Sequence, residues 1–202
     1  MITRNRPHTL VCGLIASLFA LGGCGGNDER ETKRPEDGKE GGGMSLTITS
    51  SAFEPKQTIP KDYTGDGKDL SPPIFWSDLP DGTKELALIV DDPDAPRDEP
   101  WVHWVIYKIP PDLTGLPEGV PRQQKLSMPD GVLQGVNSWD SENIGYRGPA
   151  PPKGHGVHHY HFKLYALDAK LDLEPGAKKE ELLAAMKGHV LEQAERVGTY
   201  ER

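Results

Sequence analysis

Three aspartates and one histidine occupy positions where the sequence otherwise predicts buried structure. Asp91, Asp92 and Asp94 follow an apolar run in the stretch LIVDDPDAPRDEPWVHWVIYKIP, and His103 lies inside the next apolar run. Inward-facing carboxylates are costly unless partners compensate for burial. Imidazoles suit that purpose, because a carboxylate raises the proton affinity of a histidine and fixes its orientation. The pattern predicts a site in which acids hold charged imidazoles against a small anion.

A second group of candidate residues lies more than fifty residues further on, in HHYHFKLYAL. Because side chains alternate along a strand, His158 and Tyr160 share the more apolar face of this segment. Asp91 and Asp92 point to opposite faces, so Asp91 is the least expected member of the site. The alternatives stay open at this point: His103 as a core histidine with one hydrogen bond, and His158 with Tyr160 as an ordinary buried polar pair.

The elements that would position these residues are mostly strands. Short apolar or alternating runs cover 45–53, 85–92, 101–109 and 158–167, and clusters rich in Pro, Gly and Asp separate them. This spacing favours an antiparallel sandwich or barrel. Strict alternation along 101–109 predicts that one face carries Trp101, His103, Val105, Tyr107 and Ile109. Because the other face is also largely apolar, the strand is predicted to be central and covered on both faces.

One helix is predicted near the end of the chain, over Ala177–Arg196. An apolar stripe at helical spacing supports it, consisting of Leu182, Leu183, Met186, Val190 and Ala194. Pro175-Gly176 precedes the segment and Gly198 follows it, as expected at helix boundaries.

The first 43 residues indicate export and lipidation. Arg4 and Arg6 precede an apolar run of about 12 residues, too short to cross a membrane as a helix, which ends in Leu21-Gly22-Gly23-Cys24. This resembles a bacterial lipobox, so residues 1–23 are predicted to be a signal peptide. Cys24 is then the lipidated residue, carrying diacylglycerol and an acyl chain such as palmitate. Residues 24–43 are charged and glycine-rich and predict a disordered tether.

The remaining segment, 44–202, is predicted to be one domain without thiols, because Cys12 and Cys24 are the only cysteines in the sequence. The segment has 17 basic and 25 acidic side chains and a formal net charge of −8. Such a domain is a poor nucleic-acid binder, and any anion site would need local donors. The sequence implies no cofactor and no cysteine-based metal site.

Several separated motifs resemble the phosphatidylethanolamine-binding protein family, in particular its bacterial Raf-kinase-inhibitor-like branch. They are YTGDGKDLSPPIFW, DDPDAP…WVHWVIYKIP, GYRGPAPPKGHGVHHYHFKLYALD and AMKGHVLEQAERVGTYER. The resemblance implies a mainly β fold: an antiparallel Greek-key β-sandwich with one C-terminal helix and a small anion pocket at one end.

The resemblance also implies which residues form that pocket. The family's Asp-Pro-Asp-x-x-Pro segment falls on Asp92, Asp94 and Pro96, and its next-strand histidine falls on His103. The Gly-x-His-x-Tyr segment falls on Gly156, His158 and Tyr160. The loop position before the paired prolines, usually glycine or cysteine, is Ala150 here, whose methyl group would narrow the rim.

Four functions compete on these observations. The first is a membrane-tethered, extracytoplasmic binding protein for a small anion or a phosphorylated head group, anchored in the cell envelope through its lipid. A protein-interaction module resembling protease or kinase inhibitors is the second. An enzyme using Asp92 with His103, or His158, as general acid–base is the third, although no matched nucleophile is evident. A metal site built from His159 and His161 is the fourth, and it lacks an assignable third ligand.

Overall fold

The computed structural model describes residues 45–202, which contain eight strands, one helix and one 3₁₀ turn joined by loops. The predicted signal peptide, the tether and Cys24 lie outside them. Within residues 45–202, no helix is long and apolar enough to cross a membrane. The strands are β1 (Thr47–Thr49), β2 (Ile74–Ser77), β3 (Glu85–Asp92), β4 (Trp101–Ile109), β5 (Gly115–Leu116), β6 (Leu133–Gln134), β7 (His158–Leu167) and β8 (Val190–Tyr200); the helix is α1 (Lys179–Met186) and the 3₁₀ turn is Lys61–Tyr63.

The strands form two antiparallel sheets, which confirms the prediction of a mainly β fold. The small sheet has the order β1-β2-β5, and the large sheet has the order β6-β4-β3-β7-β8. β3 lies at the centre of the large sheet and all eight of its residues are buried. Its apolar run from Leu86 to Val90 fits that place, because a strand covered on both faces needs apolar side chains on both.

Each face of the large sheet packs against a different layer. On one face, side chains of both sheets form a single core cluster that includes Trp76 of β2, Leu88 of β3 and Phe162 of β7. On the other face, Leu182 and Met186 of α1 pack in a second cluster. Burying one such side chain fully stabilises the fold by about 1.5–3 kcal/mol, so α1 is held by its contacts with the sheet.

The predicted helix is wrong over its second half. It ends at Met186, and the chain from Val190 onward forms β8, which pairs with β7 along its whole length. Lys187 leaves the helical conformation with ψ 119°, and Gly188 follows with φ 83° in a turn in which the N–H of His189 donates to the carbonyl of Met186. Beyond it, Ala194, Arg196 and Gly198 face inward at a spacing of two. The apolar stripe fitted both periods, and the tertiary pairing decided between them.

β4 also departs from the strict alternation that the sequence predicts. Val90 pairs with Trp104 and Asp91 with Val102, so His103 is the additional residue of a β-bulge. A second shift in the register between β3 and β4 follows near Lys108, which has φ 55°. The common face predicted for Trp101, His103, Val105, Tyr107 and Ile109 is therefore divided: Val105 and Tyr107 pack in the helix-side cluster and Ile109 in the other cluster.

Candidate functional site

Antiparallel pairing brings the two groups of candidate residues to one end of the large sheet. Asp92 is the last residue of β3, whereas His103 lies near the start of β4 and His158 is the first residue of β7. Because β3 runs antiparallel to both neighbours, its end lies beside the two beginnings. The sequence therefore identified residues that do meet in space, although 66 positions separate Asp92 from His158.

Asp92 and His158 form a buried carboxylate–imidazole pair. Oδ2 of Asp92 lies 2.7 Å from Nδ1 of His158, and the two side chains are 5% and 2% exposed. A carboxylate oxygen only accepts, so Nδ1 carries the proton, and Nε2 is the ring nitrogen left for another partner. The other Asp92 oxygen accepts the backbone N–H of Asp94 at 2.8 Å, which orients the carboxylate.

His103 has a different environment from the one predicted. Its Nδ1 lies 2.6 Å from the carbonyl oxygen of Arg147, so Nδ1–H donates to the backbone. Burial lowers the pKa of His103 to about 4, and the more distant aspartates do not offset that loss of solvation. His103 is thus a neutral imidazole at neutral pH, and the prediction that acids keep it charged is wrong. The carboxylate expected to act on it, Asp92, bonds His158 instead.

A cavity of about 290 Å³ opens at this end of the sheet. Its wall is formed by Asp92, Ala95, Pro96, Arg97, Trp101, His103, Trp139, Ala150, Pro151, Pro152, His158 and Tyr160. The hydroxyl of Tyr160 is buried and has no hydrogen-bond partner within the described chain. Burial, followed by the charge of Asp92, raises the pKa of this phenol, so it stays protonated and remains a donor.

Six of the eight predicted pocket residues line the cavity, and Asp94 and Gly156 do not. Asp94 bonds the backbone N–H and Nδ1 of His159, both at 2.7 Å. Partial burial opposes ionisation of Asp94, but these bonds hold its pKa below the ordinary value. Gly156 takes φ 82° in the loop before β7, with open space where a side chain would lie. Both residues shape the loops that lead to the cavity rather than its wall.

Six residues of the wall were not predicted as pocket residues: Ala95, Arg97, Trp101, Trp139, Pro151 and Pro152. Three of them, Arg97, Trp101 and Trp139, bring a charge or a large aromatic ring. Trp139 packs edge-on against both His103 and Trp101, with ring centroids 5.0 and 5.4 Å apart. Arg97 places its guanidinium carbon 4.2 Å from the centroid of a Trp101 ring. Alternation along the strand puts Trp101 on the same face as His103, and this could have indicated Trp101 as a residue of the wall. Arg97 and Trp139 lie in irregular loops, where no periodic pattern indicates which way a side chain points.

Asp69 supports the far wall of the cavity from outside. One of its oxygens accepts the backbone N–H of Gly148 at 2.7 Å, and the other lies 2.6 Å from Arg122 and 3.1 Å from Arg147. Asp69 itself has φ 57°, a conformation that aspartate tolerates better than most residues. These contacts fix the segment that begins at Arg147 and continues into Ala150.

The two histidines considered for a metal site each bond a separate acid. Nδ1 of His159 lies 2.7 Å from Asp94, and Nδ1 of His161 lies 2.8 Å from Glu195. Among residues 45–202, no group of three or more His, Cys, Asp or Glu side chains is placed to hold a metal ion. The structure thus gives these two histidines surface carboxylates as hydrogen-bond partners.

Comparison with known proteins covers almost all of the described chain. The family model for phosphatidylethanolamine-binding protein matches residues 49–201. A UPF0098 protein of Methanothermobacter thermautotrophicus is 54% identical over 157 residues, which cover 78% of this chain and 99% of the relative. Another, from Pyrococcus horikoshii, is 46% identical over 196 residues, covering 96% of this chain and 90% of the relative.

Two solved structures are similar in both sequence and fold. The crystal structure of a putative phosphatidylethanolamine-binding protein homolog from Chlamydia trachomatis is 41% identical, with a TM-score of 0.69, covering 78% of this chain and 98% of that chain. E. coli YbcL, described as a new member of the mammalian family, is 31% identical, with a TM-score of 0.72, covering 79% of this chain and 99% of that chain.

Proposed function

Because the chain belongs to the phosphatidylethanolamine-binding protein family, we propose that it binds a small anion or a phosphorylated head group in the cavity beside Asp92. The observation that carries the proposal is the unpartnered, buried hydroxyl of Tyr160 next to the Asp92–His158 pair. A buried donor without a partner costs about 1–3 kcal/mol, and an oxyanion in the cavity would remove that cost.

Three groups that line this cavity can contact an oxyanion. Tyr160 supplies an O–H group, and His158, held by Asp92 through Nδ1, has Nε2 left for the ligand. Arg97 supplies a guanidinium at the rim, where it stacks on Trp101. The aromatic and proline walls exclude water from these contacts and thereby strengthen them.

His103 favours a ligand that still carries a proton. Since its Nδ1–H donates to the carbonyl of Arg147, Nε2 of the neutral ring is an acceptor. A fully ionised oxygen cannot share a hydrogen bond with that nitrogen, whereas the O–H of a singly protonated phosphate or phosphate monoester can. The cavity thus combines donors with one acceptor, which matches a monoanion better than a dianion.

Binding is proposed in preference to catalysis. General acid–base chemistry by Asp92 with His103 is disfavoured because the two residues are not paired, and Asp92 bonds His158. The Asp92–His158 pair could activate a hydroxyl, but none of the described residues lining the cavity is a serine, threonine, cysteine or lysine. The protein-interaction alternative stays a prediction, with the cavity and its loops as the surface concerned.

We place the domain at the extracytoplasmic side of a membrane, tethered through lipidated Cys24. The sequence of residues 1–43 supports this, and those residues precede the family match. Mass spectrometry of the protein from a lipoprotein-processing host should show diacylglycerol on Cys24, and Cys24→Ser should abolish it. Unmodified Cys24 in that host would refute the anchor. The Greek-key sandwich stays a prediction, supported by the two sheets that share one core. Membership of the bacterial Raf-kinase-inhibitor-like branch also stays a prediction.

Calorimetry with inorganic phosphate and phosphoethanolamine near pH 6 tests the proposed ligand class. Tyr160→Phe is the sharpest variant, because it removes a hydroxyl that bonds nothing else in the described chain. A lost charge-assisted hydrogen bond is worth about 1.5–3 kcal/mol, so binding should weaken roughly tenfold or more. The control is Tyr165→Phe on the opposite face of β7, which should bind as wild type. Absence of binding by the wild type, or unchanged affinity in Tyr160→Phe, contradicts the proposal.

A further inference from the structure

The end of the large sheet opposite to the Asp92 cavity contains a second cavity, of about 270 Å³. Glu85, the first residue of β3, lines it, and Asp92 is the last residue of the same strand. At about 3.4 Å per residue the two positions are roughly 24 Å apart. The second cavity therefore shares a strand with the first but none of its lining residues.

The charges around this second cavity do not balance. Lys84, Lys108 and Lys170 line it together with Glu85 as the single acidic side chain. Three positive charges against at most one negative charge leave an excess in a domain whose formal net charge is −8. All three lysine side chains border one cavity, so an anion held there would be attracted by three positive charges.

Glu85 provides an independent sign of a missing partner. It is 4% exposed; its Oε2 accepts the backbone N–H of Leu171 at 3.2 Å, and the backbone N–H of Lys108 is close enough to act on the carboxyl group. The other oxygen, Oε1, is buried without a hydrogen-bond partner among the described residues. Burial raises the pKa of Glu85, although backbone N–H groups and the charges of Lys108 and Lys170 act against the shift. A carboxyl group in this environment is suited to sharing a proton with a ligand oxygen.

The rest of the wall is apolar. Ile109 and Leu171 are buried, and Pro110 and Pro111 add two rigid rings to the wall. We propose that this cavity binds a small phosphate monoester or carboxylate with a short apolar group. The lysines contact the anionic end, Glu85 shares a proton with it, and the proline–leucine wall packs against the apolar group.

Butyl phosphate and inorganic phosphate are suitable probes. Their binding can be monitored by NMR, through the backbone amide shifts of the full-length chain kept soluble in a nonionic detergent. The proposal expects saturable shifts at Glu85, Lys108 and Leu171, with butyl phosphate binding more tightly than inorganic phosphate. Lys84 and Lys170 are exposed, so Lys84→Ala/Lys170→Ala should leave the fold intact while weakening binding about fivefold.

The matched control is Lys125→Ala/Lys187→Ala, which removes the same charge from exposed positions away from the cavity and should bind as wild type. Two results overturn the proposal: no saturable shifts at these amides, as for a cavity that holds only water, or equal weakening in the control. Shifts at the amide of Tyr160 report the first cavity separately. The two sites can therefore fail or succeed independently.

Discussion

Acidification should destabilise the folded protein through His103. The pKa of this imidazole is about 4 in the folded state, against an ordinary value of 6.5. Between those values the unfolded chain binds the additional proton, so stability is lost as pH falls. Applying the linkage relation to the two values gives a loss of about 2 kcal/mol between pH 7 and pH 5, and about 3 kcal/mol by pH 4.

Urea denaturation of wild type and His103→Asn at pH 7 and pH 5 isolates this contribution. Asparagine retains an N–H donor for the carbonyl of Arg147 but does not titrate. The variant will be less stable at pH 7, since it loses packing against Trp139 and Tyr160. Its stability should nevertheless fall by about 2 kcal/mol less than that of wild type on going to pH 5.

Other titrating groups do not mask this difference. Burial opposes ionisation of Asp91, but its lysine partners lower its pKa below the ordinary 3.8, so its contribution is lost only below the range measured. The raised pKa of Glu85 acts in the opposite direction, because its folded form gains stability on acidification, but it does so equally in both proteins. His155→Asn at an exposed position is the control and should retain the wild-type pH dependence. A pH 7-to-5 change in His103→Asn within about 0.5 kcal/mol of wild type would refute the reasoning.

Three further changes test other parts of the structure by chemical denaturation. Asp91→Asn removes the fully buried carboxylate that binds two lysines and should lower the free energy of unfolding by about 2–3 kcal/mol. Asp168→Asn removes an exposed carboxylate that bonds His189 and should cost about 0–1 kcal/mol. Equal costs would contradict the role given to the buried Asp91. Gly188→Ala should cost about 1 kcal/mol from backbone strain alone, since no atom lies within 4 Å of the added methyl, and a neutral result would refute the helix end described above. Gly148→Ala would bring a methyl 2.4 Å from the carbonyl oxygen of Tyr63, so we expect a loss of about 1–3 kcal/mol together with weaker phosphate binding; unchanged stability would contradict that close packing.

Alternation alone was sufficient to place His158 and Tyr160. β7 pairs with β8 without a register shift from His158 to Ala166, so the period of two holds there and both side chains face the core layer. The same rule failed on β4, because the bulge at His103 depends on how β4 meets β3 and has no local signal. Asp91 followed the rule: it is buried on the opposite side of β3, where Lys163 and Lys179 bind it.

Non-local packing explains the remaining discrepancies. Whether His103 is charged depends on its burial and on the carbonyl of Arg147, which lies 44 residues away in the sequence. Trp139 joins the cavity from a loop without periodicity. Over 177–196 the apolar residues fit both a helix and a strand. The turn through Lys187 and Gly188, which brings the chain back to pair with β7, separates the helix from the strand.

The central position of β3 has a consequence for synthesis of the chain. Both of its partner strands are made after it: β4 follows within ten residues, whereas β7 begins at His158, 66 positions after Asp92. During translation, one edge of a strand with the apolar run Leu86–Val90 therefore stays unpaired until the last quarter of the protein is made. Such an edge is a template for pairing with other chains. Release of a nascent chain that ends before residue 158 should consequently yield aggregates, whereas later stops that retain β7 should not.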